Sequence, residues 1–348
     1  MSWHGIFGHD DVVEQFRRAI ERGRLASTFL FTGPPGIGKR TFALTLAQAL
    51  LCQRRDEAAF DPCGECPSCK QVVAGTHPDV AVVSKPEDKS VIPVELFIGD
   101  KEHRGREGLC HHIALKPYMG GRKIAIIDDA DYLNPEGANS LLKTLEEPPP
   151  KSVLILIGTS PAKQLPTIRS RCQLVRFLPL PEETVAELLL SKGLVADGAE
   201  AQRLAAHAEG SLSRALDLAD PKLWEFREML FRRLAEPQLQ SVELAKTVQA
   251  FVDEVGKLPS ARRERLRQVA LMAAEFYRGL LRGTTDAALP EDAHLRRCIE
   301  RALRHEATTT DATARRLERC LTVTGQIDRN VNVTMLLEAW MDGLGVES

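Results

Sequence analysis

The run Gly33-Pro34-Pro35-Gly36-Ile37-Gly38-Lys39 follows the apolar segment Thr28-Phe29-Leu30-Phe31-Thr32 and precedes a helical stripe of Phe42, Ala43, Leu46, Ala47 and Leu50. Strand, glycine-rich loop and helix in that order are what a phosphate-cradling loop requires. Gly33, Gly36 and Gly38 let backbone N–H groups converge on phosphate oxygens, and Lys39 supplies charge for the outer phosphates. A plain Gly-Pro turn ahead of a helix is the alternative, and a match of this length in this setting argues against it. One position departs from the pattern. The residue after the lysine is normally Ser or Thr, whose hydroxyl holds Mg²⁺; here it is Arg40, with Thr41 one place later. A guanidinium has no acceptor to offer a metal. The loop is thus compatible with ATP, with Thr41 reaching the α-phosphate, whereas magnesium is disfavoured.

The first half of the chain alternates short apolar runs with helical patterns. Residues 28–32, 80–83, 123–128, 152–159 and 172–177 read as buried strands. A second helical stripe, Ala138, Leu141, Leu142 and Leu145, starts at an Asn134 N-cap with Pro135 in the first helical position, and Pro148 stops it. Strands alternating with helices predict an α/β fold with a parallel sheet covered on both faces. In such sheets ligands bind at the carboxyl ends of the strands. Asp128 lies there, where a magnesium-associated carboxylate belongs. Asp129 occupies the position of the water-orienting acid, one methylene shorter than the usual Glu, and catalysis is sensitive to displacements of about 1 Å. The alternative is that these acids merely cap the following helix, a reading that suits Asp131 better than Asp128.

The balance of 46 Lys+Arg against 48 Asp+Glu, a formal charge of −2, excludes wholesale coating of a polyanion and leaves only local patches. Runs such as Val153 to Ile157 are far too short to span a bilayer, so no membrane partner is expected. The first residues have neither a basic region nor an apolar stretch, and a cytoplasmic location is expected. Beyond Pro179 the strand signal vanishes into Leu-, Ala- and Arg-rich helical periodicity. Arg262, Arg263, Arg265, Arg267, Arg296, Arg297, Arg315 and Arg316 alternate there with Glu264, Glu300 and Glu318. That pattern reads first as a solvated, ion-paired face and, more sharply, as a DNA contact.

Of eight cysteines, Cys52, Cys63, Cys66 and Cys69 cluster, with Cys63-x-x-Cys66-x-x-Cys69 beginning shortly after the helix that Cys52 ends. Four thiolates can close a tetrahedral Zn²⁺ site, with Pro62, Gly64 and Pro67 in the turns. A closed site is structural; a redox pair or an iron–sulfur cluster remains as an alternative. Cys110, Cys298 and Cys320 read as ordinary buried thiols. His77, in His77-Pro78-Asp79, reads as a turn hydrogen-bonder rather than a ligand.

With these motifs placed, the chain resembles AAA+ clamp-loader subunits, in particular the delta-prime family of bacterial DNA polymerase III. The resemblance is carried by Asp128-Asp129-Ala130-Asp131-Tyr132-Leu133-Asn134, by Asn139 to Pro149, by Ser170-Arg171-Cys172 and by the Asn330-Val331-Asn332-Val333 ending. It implies a five-stranded AAA+ core over residues 1–178 with the cysteine module at 52–69, a helical lid over 179–220 and an all-α collar over 221–348. It implies partners too: delta and gamma/tau subunits, and, through the complex, the sliding clamp and primed DNA. The family pattern assigns Arg171 to a neighbour's ATP site in trans, where a guanidinium stabilises phosphate charge; an intramolecular ion pair is its other reading. Thr159 or Ser160 matches the polar γ-phosphate sensor. Motor subunits carry Arg where Gly210-Ser211-Leu212-Ser213-Arg214 has Ser213. One helical residue is about 100° of rotation, so Arg214 is expected to point elsewhere. These departures favour a stator-like subunit with little ATPase of its own over a gamma/tau-type motor; a free-standing AAA+ protein of recombination or repair fits the core motifs but accounts less well for the cysteine module and the Asn330 ending.

Overall fold

The computed structural model describes residues 3–119, 121–256, 258–306, 308–327 and 332–345; Asn330 and Val331 of the C-terminal motif lie outside the described residues. The chain divides into two compact units, Met1–Ala219 and Asp220–Ser348.

The first unit is built on five parallel strands, β1 (Thr28–Thr32), β2 (Val80–Val83), β3 (Lys123–Ile127), β4 (Ser152–Ile157) and β5 (Gln173–Arg176), in the order β2-β3-β4-β1-β5. The first two match their apolar runs residue for residue. β3 and β4 are shorter, because Asp128 and Gly158 already belong to the loops at the sheet edge, and β5 lacks Cys172 and Phe177 at its two ends. Every residue of β1, β3 and β4 is buried, as strands covered on both faces must be, whereas the outer strands β2 and β5 are partly exposed.

Alternation along β1 separates the two layers. Phe29 and Phe31 meet Phe16 of α1 (Asp10–Glu21), and Phe31 meets Phe42 of α2 (Lys39–Leu51), with ring centroids 5.0–5.9 Å apart. Leu30 faces the other way. It joins Ile127, Leu154 and Leu156 beneath Leu109 and Ile113 of α5 (Leu109–Ala114) and Ala138, Leu141 and Leu145 of α6 (Pro135–Glu146). The Asn134 carboxamide caps α6 by accepting from Gly137 N–H at 2.7 Å. Two further short helices, α3 (Pro67–Ala74) and α4 (Glu95–Ile98), precede α5, and α7 (Pro166–Arg169) precedes β5. The unit closes with α8 (Glu182–Ser191), α9 (Gly198–His207) and α10 (Leu212–Leu218).

The second unit is wholly helical among the described residues: α11 (Pro221–Leu234), α12 (Ser241–Asp253), α13 (Pro259–Thr284), α14 (Ala293–Ala302), α15 (Thr310–Ile327) and α16 (Val333–Gly345). Its core gathers Phe231, Phe276, Tyr277, Leu337 and Trp340 around the long α13. The five-stranded α/β core followed by a helical C-terminal part is the fold class expected from the motifs. No helix of the described residues is long and apolar enough to cross a membrane. The basic positions are locally neutralised where pairs form: Arg262 bonds Asp253 at 2.8 Å, Arg267 bonds Glu264 at 2.5 Å, and Arg265 lies over the Phe251 ring.

Arg227 is 1% exposed inside this unit. Its Nη2 bonds Glu275 and Asp292, each at 2.8 Å, and the guanidinium packs 4.4 Å from the Phe231 ring centroid. Removing one member of a buried ion cluster leaves the others uncompensated. Arg227→Ala should therefore lower the stability of the helical unit by about 3–5 kcal/mol, read from urea unfolding followed by circular dichroism.

Candidate functional site

The carboxyl ends of β1, β3 and β4 form one edge, with Phe31 opposite Ile157 and Ile127 opposite Leu156. Each strand there delivers one of the sequence-predicted groups. The phosphate loop leaves β1, Asp128 and Asp129 leave β3, and Thr159 leaves β4.

The loop is fixed from three sides. Gly33 N–H donates to the Thr159 carbonyl at 3.2 Å. Gly33 has φ +148°, and a Cβ there would strike the Phe177 carbonyl, so no other residue fits. Gly36, at φ +72°, has no room for a Cβ beside the Ser211 and Ser213 hydroxyls, and its carbonyl accepts the Leu212 N–H at 3.1 Å. The start of α10 is thus seated on the phosphate loop, with Ser213 against it. Arg214 instead bonds Glu209 at 2.9 Å. From the other side the buried His9 ring holds the Ile37 carbonyl through Nε2 at 2.7 Å and sets its edge on Phe177. Burial lowers the His9 pKa and keeps the ring neutral. Nothing in its sequence context singles out His9, because its partner lies 28 residues away.

Lys39 opens α2 and is buried, its Nζ donating to the carbonyls of Gly33 at 2.6 Å and Pro34 at 2.5 Å. Burial draws its pKa down to about 8, against the pull of Asp131 and Asp128. Arg40 turns to β3, with Nη1 3.1 Å from Asp128 Oδ2, while Asp128 Oδ1 accepts the Asp129 N–H at 3.1 Å. Thr41 is exposed in the first turn of α2. Asp129 sits at φ +57°, and burial followed by the neighbouring Asp128 raises its pKa, while a Lys85 backbone N–H bonds it. A Mg²⁺ ion takes oxygen ligands in a near-octahedral shell. A guanidinium on the residue that should supply the hydroxyl, paired with the carboxylate that should share the ion, does not fit that shell.

Asp131 does not cap a helix. Its nearly buried carboxylate accepts the Thr159 N–H at 3.0 Å, the Thr159 hydroxyl, and Gln164 Nε2 at 2.6 Å. The correction has a simple cause: donors 28 and 33 residues downstream outcompete the local N–H groups. Ser160 caps the turn after β4 by accepting Ala162 N–H at 3.2 Å, so of the two candidate hydroxyls Thr159 is the one bound to the strand-end network.

Arg171 lies at the entrance of β5, its carbonyl held by the Thr28 hydroxyl at 2.7 Å. Its guanidinium donates through Nε to Glu146 Oε1 at 2.8 Å, through Nη2 to the same oxygen, and through Nη1 to the Thr167 carbonyl at 2.9 Å. The side chain is about one third exposed and Glu146 half exposed, so the pair stands at the surface.

The four clustered cysteines converge after α2. Their Sγ atoms lie within 4.8 Å of one another. A tetrahedral ion with metal–sulfur bonds of about 2.3 Å needs sulfur separations of about 3.8 Å, so the donor set fits zinc. Cys66 N–H points at Cys63 Sγ at 3.3 Å and Cys69 N–H at Cys66 Sγ at 3.4 Å, the arrangement that favours thiolates. Against desolvation, backbone donors bring Cys66 down to about 6 and also lower Cys52, while burial pushes Cys69 up. His77 is buried outside the cluster: Nδ1 accepts Asp79 N–H at 3.0 Å, and Nε2 bonds the Ser68 hydroxyl, also at 3.0 Å.

A phosphate loop on a five-stranded parallel sheet, with carboxylates at the same edge two strands away, defines a P-loop α/β protein. The family model described as "DNA polymerase III, delta subunit" matches residues 8–181, and the chain belongs to that family. It is 36% identical to the DNA polymerase III subunit delta′ of Pseudomonas aeruginosa, over 65% of this chain and 66% of that protein. It is 34% identical to the Escherichia coli delta′ subunit, over 68% and 66%. Against the tau subunit of Escherichia coli the identity is 32%, over 62% of this chain and 32% of that protein. The matches span just under two thirds of the length of these two delta′ relatives.

Asp131→Ala removes the acceptor of buried donors on Thr159 and Gln164. Each such loss costs about 1–3 kcal/mol, so the variant should unfold at a lower temperature in a thermal melt, while Ser160→Ala should shift it far less.

Proposed function

We propose that this chain is a delta-prime-type, stator-like subunit of a DNA polymerase III clamp loader, helping to place the sliding clamp on primed DNA during bacterial replication. Its partners in that reading are delta and gamma/tau subunits. Residues 1–178 serve as the AAA+ core, 179–220 as a lid and 221–348 as a collar. The observation that carries the reading, beside the family membership, is the Arg40–Asp128 pair. A chain that fills its metal position with its own guanidinium is suited to holding a ring together rather than driving it. Asp129, turned to Lys85, and Ser213, in place of a lid arginine, support the same conclusion and disfavour a gamma/tau-type motor.

Arg171 is the group this subunit offers to a neighbour. Its backbone is fastened to β1 and its fork is pre-aimed by Glu146, an exposed carboxylate that a phosphate can replace. Mixing the purified chain with delta and gamma/tau subunits should give a stable complex whose DNA- and clamp-stimulated ATPase falls when Arg171→Ala is used. Arginine fingers are worth on the order of 10³-fold or more at one site, diluted here by the other sites of the ring. Arg171→Lys should rescue poorly, for an ammonium lacks the bidentate fork. A complex that assembles with the alanine variant and loads clamps at the full rate would reduce Arg171 to a local ion-pair partner. The chain alone should turn over ATP negligibly; steady hydrolysis abolished by Lys39→Ala would point to a motor instead.

Cys52, Cys63, Cys66 and Cys69 hold one structural zinc in this reading, and the ion's contribution is to fix the turn after α2. Metal analysis after dialysis should find one zinc per chain, and Cys66→Ser should lose it and melt at a lower temperature. An unchanged zinc content in that variant would contradict the assignment.

A further inference from the structure

We propose that the phosphate loop of this chain takes a nucleoside di- or triphosphate without a divalent cation, the Arg40–Asp128 ion pair standing where a metal would stand. The inference deepens the reading above and rests on its nucleotide-loop part. Both oxygens of Asp128 are already engaged, Oδ2 by Arg40 at 3.1 Å and Oδ1 by the Asp129 N–H at 3.1 Å. Each oxygen of Asp128 thus already carries one donor, Oδ2 a cationic one, and residue 40 brings a positive charge rather than a hydroxyl. A hydrated divalent cation at this position would meet the like charge of Arg40 at short range.

The same pair provides part of what a metal would. The Arg40 side chain is more than half exposed at the first turn of α2, beside Lys39, so its fork has N–H groups open to phosphate oxygens. Lys39, the N–H groups at the start of α2 and the Ser211 and Ser213 hydroxyls line the same loop. The charge arithmetic differs from that of a metal site. A divalent ion beside Asp128 leaves one positive charge, whereas Arg40 beside Asp128 leaves none. The outermost phosphate therefore gains little from this site, and diphosphate and triphosphate should bind about equally well. With no ion bridging the outer phosphates, bound triphosphate should persist unhydrolysed.

Calorimetric titration of the full, zinc-loaded chain with ADP and with ATP, in magnesium and in magnesium-free buffer without chelator, tests this directly. The dissociation constants for each nucleotide should agree within about threefold between the two buffers. In Arg40→Thr the hydroxyl returns and Asp128 is released, so magnesium should tighten ATP by about tenfold or more. Arg40→Lys should stay indifferent to the metal. Wild-type binding that collapses without magnesium, no binding of either nucleotide in either buffer, or an Arg40→Thr variant blind to magnesium would each overturn the proposal. Assembly with delta and gamma/tau subunits, followed by gel filtration in magnesium buffer, separates the two readings. A chain that assembles yet binds nucleotide only with magnesium loses this inference alone, and one that fails to assemble loses the clamp-loader reading whatever its nucleotide affinity.

Discussion

Burial of β1, β3 and β4 on both faces is the constraint from which the site follows. Strands with no solvent face can be connected in parallel only through covering helices, so all their loops of one sense open at one edge. That edge receives the phosphate loop, the Asp128–Asp129 pair and Thr159 from three different strands. None of these groups needs long-range steering once the sheet order β2-β3-β4-β1-β5 is set. Asp131 then locks the edge, because its carboxylate joins the end of β3 to the end of β4, whose Thr159 carbonyl in turn holds Gly33. The chain from sheet to phosphate loop is therefore continuous and short.

What was legible in the sequence is what depends on neighbours along the chain. The apolar runs marked the strands, Asn134 and Pro135 marked the start of α6, the glycine spacing marked the phosphate loop, and the cysteine spacing marked the convergent thiols. Interactions that close across the fold were not legible. Arg40 could be seen to lack a hydroxyl, yet its pairing with Asp128 spans 88 residues and needs the β1–β4–β3 geometry. His9 and Ile37, Asp131 and Gln164, and Arg171 and Glu146 are likewise distant in sequence and ordinary in composition. Asp131 shows the difference most clearly. Local propensity points to a cap, but a carboxylate that is nearly buried goes to the donors that satisfy it best.

The helical unit obeys a different economy. It has no sheet to set its register, and its core of leucine, phenylalanine and alanine is non-directional. Arg227 adds direction. A buried guanidinium paired through Nη2 with Glu275 and Asp292 ties α11 to α13 and to the start of α14, where Asp292 also caps the helix by accepting His294 N–H at 2.8 Å. Such a cluster contributes less net energy than its short distances suggest, since three charges must be desolvated to form it. A slipped α11 would leave these charges unpaired.

The cysteine cluster and the phosphate loop are joined by α2, which begins at Lys39 and ends at Leu51, about 20 Å away. The last carbonyls of a helix have no partner within it. Here the cysteine module supplies one: the Ser68 hydroxyl, between Cys66 and Cys69, donates to the Leu51 carbonyl at 2.7 Å. Gln48, in the last turn, reaches back to the Cys69 carbonyl at 3.1 Å. His77 holds Ser68 from behind and is itself set by Asp79 at the start of β2. The module thus acts as the C-terminal cap of the helix whose N-terminus faces the phosphate loop, and ties that helix to the edge of the sheet. Anchorage at both ends of α2 sets Lys39 and Arg40 relative to the end of β3, where Arg40 meets Asp128.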